Sequence, residues 1–155
     1  MERRKLIGMG AGLAVLPAWW ALRRVTDGGE GDWHTDAAPL EEAFPPLGPL
    51  THAQWVSSQD NDRSGVPSPE VAISGFARLA AGKLAELTAA HAFVPDDSAT
   101  EFSSWFEKPL KGEGPKNPQW IRSQELDRDG SGFSTRLWFD RRSETVRFRA
   151  LNPYG

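Results

Sequence analysis

The chain has 155 residues, 39% hydrophobic and 25% charged, with a net charge of −3; that balance belongs to one modest globular domain with extensions, not to a disordered chain. It contains no cysteine, which excludes a disulfide framework, thiolate metal sites, a cysteine nucleophile and a lipoprotein anchor. The charge is uneven: residues 27–107 hold fourteen acidic and three basic side chains, and residues 108–155 hold six acidic and ten basic. No broad basic field results, so nucleic acid is not an expected partner.

The chain opens "MERRKLIGMGAGLAVLPAWWALRR": a basic start (Arg3, Arg4, Lys5), an uncharged run over residues 6–22, then Arg23 and Arg24. This is the layout of an export signal or a signal anchor. The arginine pair followed by Lys5, Leu6 and Ile7, with a glycine-rich and moderately hydrophobic run, resembles a bacterial twin-arginine signal. It departs from that pattern in Glu2, where Ser or Thr is usual, and in Leu6, where Phe is commonest. The resemblance covers about 24 residues and implies a body on the extracytoplasmic, periplasmic side. Cutting after Ala21 would place Trp19 at a position that wants a small residue. As a helix the 17-residue run would span roughly 25 Å, and Trp19, Trp20 and the following arginines suit an interface. An uncleaved single-pass anchor is therefore favoured over a cleaved signal.

Residues 25–50 are rich in Gly, Pro and acidic residues and sustain no apolar period, which predicts an extended tether; Trp33, Leu40, Phe44 and Leu47 could pin it. Thr51 is a candidate N-cap of a short helix carrying Trp55. Residues 71–78 alternate as a strand, and the alanine-rich run after them predicts a helix ended by Pro95. Residues 95–118 read as a long irregular loop, a kind that tends to be functional or to dock, with Trp105 and Phe106 as packing anchors. Residues 120–151 alternate as a three-stranded antiparallel meander. Together these predict a small α+β domain over 51–155, one antiparallel sheet of the meander and one earlier strand with one helix on a face.

Two Asp-x-Asp-x-Ser-Gly stretches recur, Asp60–Gly65 and Asp127–Gly132. The second matches the front of a calcium loop: Asp127, Asp129 and Ser131 at positions 1, 3 and 5, and Thr135 at position 9. Position 12, which needs a bidentate Glu, is Trp138, and in the first copy it is Val71. Two readings stand. One is a hairpin turn built by Asp and Gly. The other is weak calcium coordination by Asp127, Asp129, Ser131 and Thr135, completed by Asp140 or Glu125. The three histidines, His34, His52 and His91, show no metal-ligand spacing, and the chain has no G-x-S-x-G elbow and no P-loop or G-x-G-x-x-G; the glycines of residues 8–12 belong to the composition of the signal segment. Enzymatic machinery is not visible.

Seven tryptophans in so short a chain are the stronger signal. Trp33, Trp105 and Trp138, with Arg136 beside the last, have the composition of a partner-binding surface; loops folding over the sheet would bury them instead. The sequence thus leads to an anchored accessory subunit docked on a larger membrane complex, with the membrane itself reached through residues 6–22. The alternative is an exported cell-envelope binding module, calcium-stabilised or binding a toxin-like partner. An exported hydrolase is third.

Overall fold

The computed structural model describes residues 32–59, 71–102, 104–129 and 134–151. The expected N-terminal anchor, the first Asp-rich stretch and Ser131 lie outside these residues. Among the described residues the architecture is α+β: a seven-stranded open antiparallel sheet with three short helices. The strands are β1 (Asp32–His34), β2 (Leu50–Gln59), β3 (Val71–Leu79), β4 (Val94–Pro95), β5 (Trp120–Arg122), β6 (Ser134–Asp140) and β7 (Thr145–Leu151). Their order across the sheet is β1-β2-β3-β7-β6-β5-β4. The helices are α1 (Ala38–Ala43), α2 (Lys83–Ala90) and α3 (Gln124–Asp129), and 3-10 turns run over Pro45–Leu47, Asp97–Thr100 and Trp105–Leu110.

The strand over 71–79, the helix α2 with Leu84 and Leu87 turned inward, and the β5-β6-β7 meander stand where the sequence pattern predicts them. Three readings need correction. Residues 51–59 form strand, not helix: Ala53, Trp55 and Ser57 alternate with Gln54, Val56 and Ser58, and pairing with β3 overrides the local cap signal. Residues 32–50 are no loose tether, because Leu40, Ala43, Phe44 and Leu47 are buried in the core. Residues 124–129 are helix, not a strand running into a turn; Leu126 is drawn into the core, and Gln, Glu, Leu and Arg favour helix.

One sheet face is apolar. Trp55, Ile73, Ala77, Val146, Phe148, Leu137, Phe139 and Ile121 pack against residues of α1, α2 and α3. Phe44 meets Phe148 with ring centroids 5.4 Å apart, and Phe93 meets Phe139 edge-on at 5.5 Å, geometries that add to simple area burial. Gly75 is required here. A Cβ on it would lie 2.3 Å from the Cβ of Trp55 and 2.4 Å from the carbonyl oxygen of Gln54, so β2 and β3 approach as closely as they do only across a glycine. The opposite face is covered by the segment 96–119, whose Ala99, Phe106 and Leu110 pack on Val56, Phe76, Trp120 and Trp138. Two covered faces explain why most of the aromatics among the described residues are buried although the chain has one obvious amphipathic helix.

The hairpin joining β6 and β7 is built on a buried carboxylate. Asp140 accepts hydrogen bonds from the Gln119 amide at 2.7 Å, the Ser143 hydroxyl at 2.6 Å and the Arg142 amide at 3.2 Å. Those contacts set the register that places Arg136 directly opposite Arg149 and Trp138 opposite Arg147.

Candidate functional site: an arginine row on the loop-covered face

Alternation along β6 and β7 turns Arg136 and Trp138, and Arg147 and Arg149, onto the loop-covered face. On β3 the same rows carry Ser74 opposite Arg149 and Phe76 opposite Arg147. The 3-10 turn Trp105–Leu110 starts with a capping box in which Ser104 and Glu107 each bond the other's backbone. That local geometry directs the Glu107 carboxylate inward. It accepts the Ser74 hydroxyl at 2.6 Å and the Arg147 Nη2 at 3.0 Å. Glu107 is wholly buried and Arg147 is 1% exposed.

The Arg147 guanidinium lies among three rings, 5.0 Å from the centroid of Phe102, 5.4 Å from Phe76 and 5.8 Å from Trp138, and its Nη1 donates to the Phe148 carbonyl. Aromatic faces and one carboxylate take the place of water around this charge. Burial pushes its pKa down, the Glu107 carboxylate opposes that shift, and Arg149 adds to it. Its Nε has no hydrogen-bond partner among the described residues.

Two residues further along β7, in the next row, the surroundings are more exposed. Arg149 donates to the Ser104 hydroxyl at 2.7 Å and stands 3.8 Å from Glu107, with its side chain 40% exposed. Arg136 is exposed. The two arginines border a cleft of about 280 Å³ lined also by Ala72, Ser134, Ala150 and Leu151. Three arginines against one glutamate leave an excess of about two positive charges on this part of the face. The site therefore suits an oxyanion, which two guanidinium forks can hold by paired hydrogen bonds. A second cleft, about 320 Å³, lies at the other end of the same strands between His52, Gln54, Arg78 and the loop at Gly114. There His52 has a φ of 49° at the irregularity of β2.

The partner-binding residues read from the sequence separate. Arg136 lines the cleft. Trp138 shares its face but is 4% exposed, its indole donating to the Ser98 hydroxyl at 3.2 Å; the segment 96–119 closes over it, so it is no docking surface. Trp33 is 43% exposed on the edge strand β1. Trp105 begins its 3-10 turn, and its side chain lies outside what the structure describes. Sequence reasoning missed Glu107, Arg147 and Arg149. The signal was available in the alternation of Arg147 and Arg149 with Val146 and Phe148, but it reads equally as a solvated face until the covering loop is known.

Of the calcium residues, Ser131 lies outside the described residues and Asp129 ends α3. Asp127 lies in α3, with Oδ1 accepting the Leu137 amide at 2.8 Å and Oδ2 accepting Arg122 Nε at 2.6 Å. Thr135 is buried. Of the two supporting carboxylates, Glu125 pairs with His91 Nδ1 at 2.9 Å and Asp140 holds its turn. Among the described residues no three His, Asp or Glu side chains converge as metal ligands would. His34, in the segment read as a tether, is half-buried: it stacks on Trp55 with centroids 4.2 Å apart and meets the Ser57 hydroxyl through Nε2 at 2.8 Å, pinning β1 to β2. No protein family, curated protein or solved structure matches this chain.

Proposed function

We propose that the chain is a membrane-anchored extracytoplasmic accessory subunit, its small α+β domain docked on a larger membrane complex. One observation carries this reading. The first strand among the described residues begins at Asp32, so only residues 25–31 separate it from the arginines that follow the apolar run. Seven residues span at most about 25 Å when fully extended. An anchored chain then carries its domain close to the bilayer surface, where subunits of a membrane complex are within reach, instead of on a long tether. The exposed Trp33 at the edge of the sheet and the open arginine cleft are the contact features such a domain offers.

Membrane fractionation with intact-mass measurement, followed by size exclusion in mild detergent, tests the proposal. A full-length chain in the membrane that elutes with stoichiometric larger subunits supports it. A soluble chain shortened to begin after about Leu22 sinks it. The arginine cleft itself favours a second reading, an exported binding module for an anionic ligand, which predicts a domain that elutes alone.

A further inference from the structure

We propose that the cleft at the other end of these strands, beneath the loop at Gly114, binds a zwitterionic small molecule: an α-amino acid with an apolar side chain. The site stands apart from the arginine row and does not depend on how the chain is anchored. Every residue lining it is described, and the segments outside the described residues join the sheet at its opposite end, at Asp32, Gln59, Val71, Ser134 and Leu151.

The strands supply the floor. Phe76 and Arg78 lie two apart on β3 and so share a face; Gln54 stands opposite Phe76 on β2, and Thr145 opposite Arg78 on β7. The loop at 113–115 is the wall. Gly114, with a φ of 94°, packs on the Phe76 ring, and a Cβ there would meet ring carbons at 2.8 and 2.9 Å. Only glycine therefore lets the loop come down and set Glu113 beside the cleft. Arg142 Nη1 ties the same loop to the β6–β7 turn through the Asn117 carbonyl at 3.0 Å. Three non-glycine residues among the described ones have a positive φ: His52, Asn117 and Glu144. His52 lines the cleft, Glu144 stands between its lining residues Ser143 and Thr145, and Asn117 holds the loop. Such conformations are kept in place by their surroundings and gather at ligand clamps; here all three surround one cleft.

Charge selects the ligand. Arg78 and Glu113 both line the cleft and both are exposed, yet they do not pair with each other, and neither side chain has a hydrogen bond or ion pair with any described residue. A plain anion would meet Glu113, and a plain cation would meet Arg78. A molecule carrying a carboxylate and an ammonium a few bonds apart satisfies both. The guanidinium fork donates paired hydrogen bonds to the carboxylate, and Glu113 accepts from the ammonium. Gln54, exposed beside them, offers a donor and an acceptor, whereas the Ser143 and Thr145 hydroxyls are already bonded to one another at 2.8 Å. Phe76 and Pro115 give an apolar wall for the ligand's side chain, and a volume of about 320 Å³ lies at the small end of ligand pockets, the scale of one amino acid.

The test titrates the full chain in neutral-detergent micelles with L-leucine and, separately, with N-acetyl-L-leucine, L-leucine amide and glucose. Binding is read from the backbone amide resonances of residues 76–78 and 113–114. Leucine is expected to give saturable shifts, and each capped derivative to bind about tenfold more weakly, having lost one charged contact. R78Q and E113Q replace exposed side chains and should melt like the parent chain. R78Q should bind leucine and leucine amide alike, and E113Q should bind leucine and N-acetyl-leucine alike. Absence of a saturable shift with leucine, or parent-like leucine affinity in both variants, would overturn the site. N-acetyl-leucine binding as tightly as leucine would overturn the zwitterion, and so would glucose binding in its place. If the chain proves soluble without detergent, the anchored reading fails, while the same titrations in buffer still decide this one.

Discussion

Replacing Glu107 by alanine should be among the most damaging single changes this fold can suffer. The carboxylate is fully buried and accepts from Ser74 Oγ, Arg147 Nη2 and the Ser104 amide, the last at 3.2 Å. Its removal leaves the Arg147 charge in a site 1% exposed and fenced by aromatic rings, where water cannot replace the lost partner. Breaking a buried pair from one side costs roughly 3–5 kcal/mol, and the two further hydrogen bonds raise the expected loss toward the upper end of that range. Against a typical total of about 5–15 kcal/mol, this removes a third or more of the stability. Urea unfolding of the full chain in mild detergent, followed by tryptophan fluorescence, measures the effect. The partner experiment is E107A/R147M, which removes both charges and returns apolar volume; it should recover most of the loss, because the penalty comes from the orphaned guanidinium and not from a missing attraction. A loss below about 1 kcal/mol in E107A, or a double variant no better than the single, would refute this account of the buried row.

Gly75→Ala should destabilise by about 3 kcal/mol or more, since the new Cβ meets backbone and side-chain atoms of β2 near 2.4 Å and the strand cannot yield without losing its ladder; thermal unfolding measures it. Asp127→Ala should cost about 2 kcal/mol through the loss of the Arg122 and Leu137 contacts, and millimolar calcium should leave the melting temperature of the parent chain unchanged; a calcium-dependent rise would identify the loop as a metal site. Asp96 gives a pH signature. Burial raises its pKa, but hydrogen bonds from Ser98, Arg122 and Trp138 outweigh burial and hold it below the ordinary 3.8. Its charged form therefore stabilises the fold above the unfolded value, and that contribution disappears as the pH falls through the folded one. D96N should flatten the loss of stability below about pH 4; an unchanged acid limb would show that other carboxylates carry it.

The legible parts of the fold were those where a period ran long enough to be read. The strand from Val71 to Leu79, the helix ended before Pro95 and the hairpin around residues 141–144 all declare themselves through alternation, helix formers or turn chemistry. What stayed hidden depended on partners distant in the chain. Residues 51–59 carry a cap signal that only pairing with β3 overrules, and Leu40, Phe44 and Leu47 lie among prolines and acids that conceal a core segment. At the site, Arg136 was visible as a surface arginine beside a tryptophan. The meaning of Arg147 was not, because a strand that alternates arginine with apolar residues has the same pattern whether its polar face meets water or a covering loop. Trp138 followed the same ambiguity and resolved as core.

Both outermost strands are short. At one edge β1 pairs with β2 through three residues, and at the other β4 contributes two, one of them Pro95, which has no amide hydrogen to offer. A sheet ending this way gives a neighbouring chain little ladder to extend. Where copies crowd, that bluntness opposes edge-to-edge polymerisation. It also narrows how any larger assembly can be met: through the open end of the sheet and side-chain chemistry, and not by lending or receiving a strand.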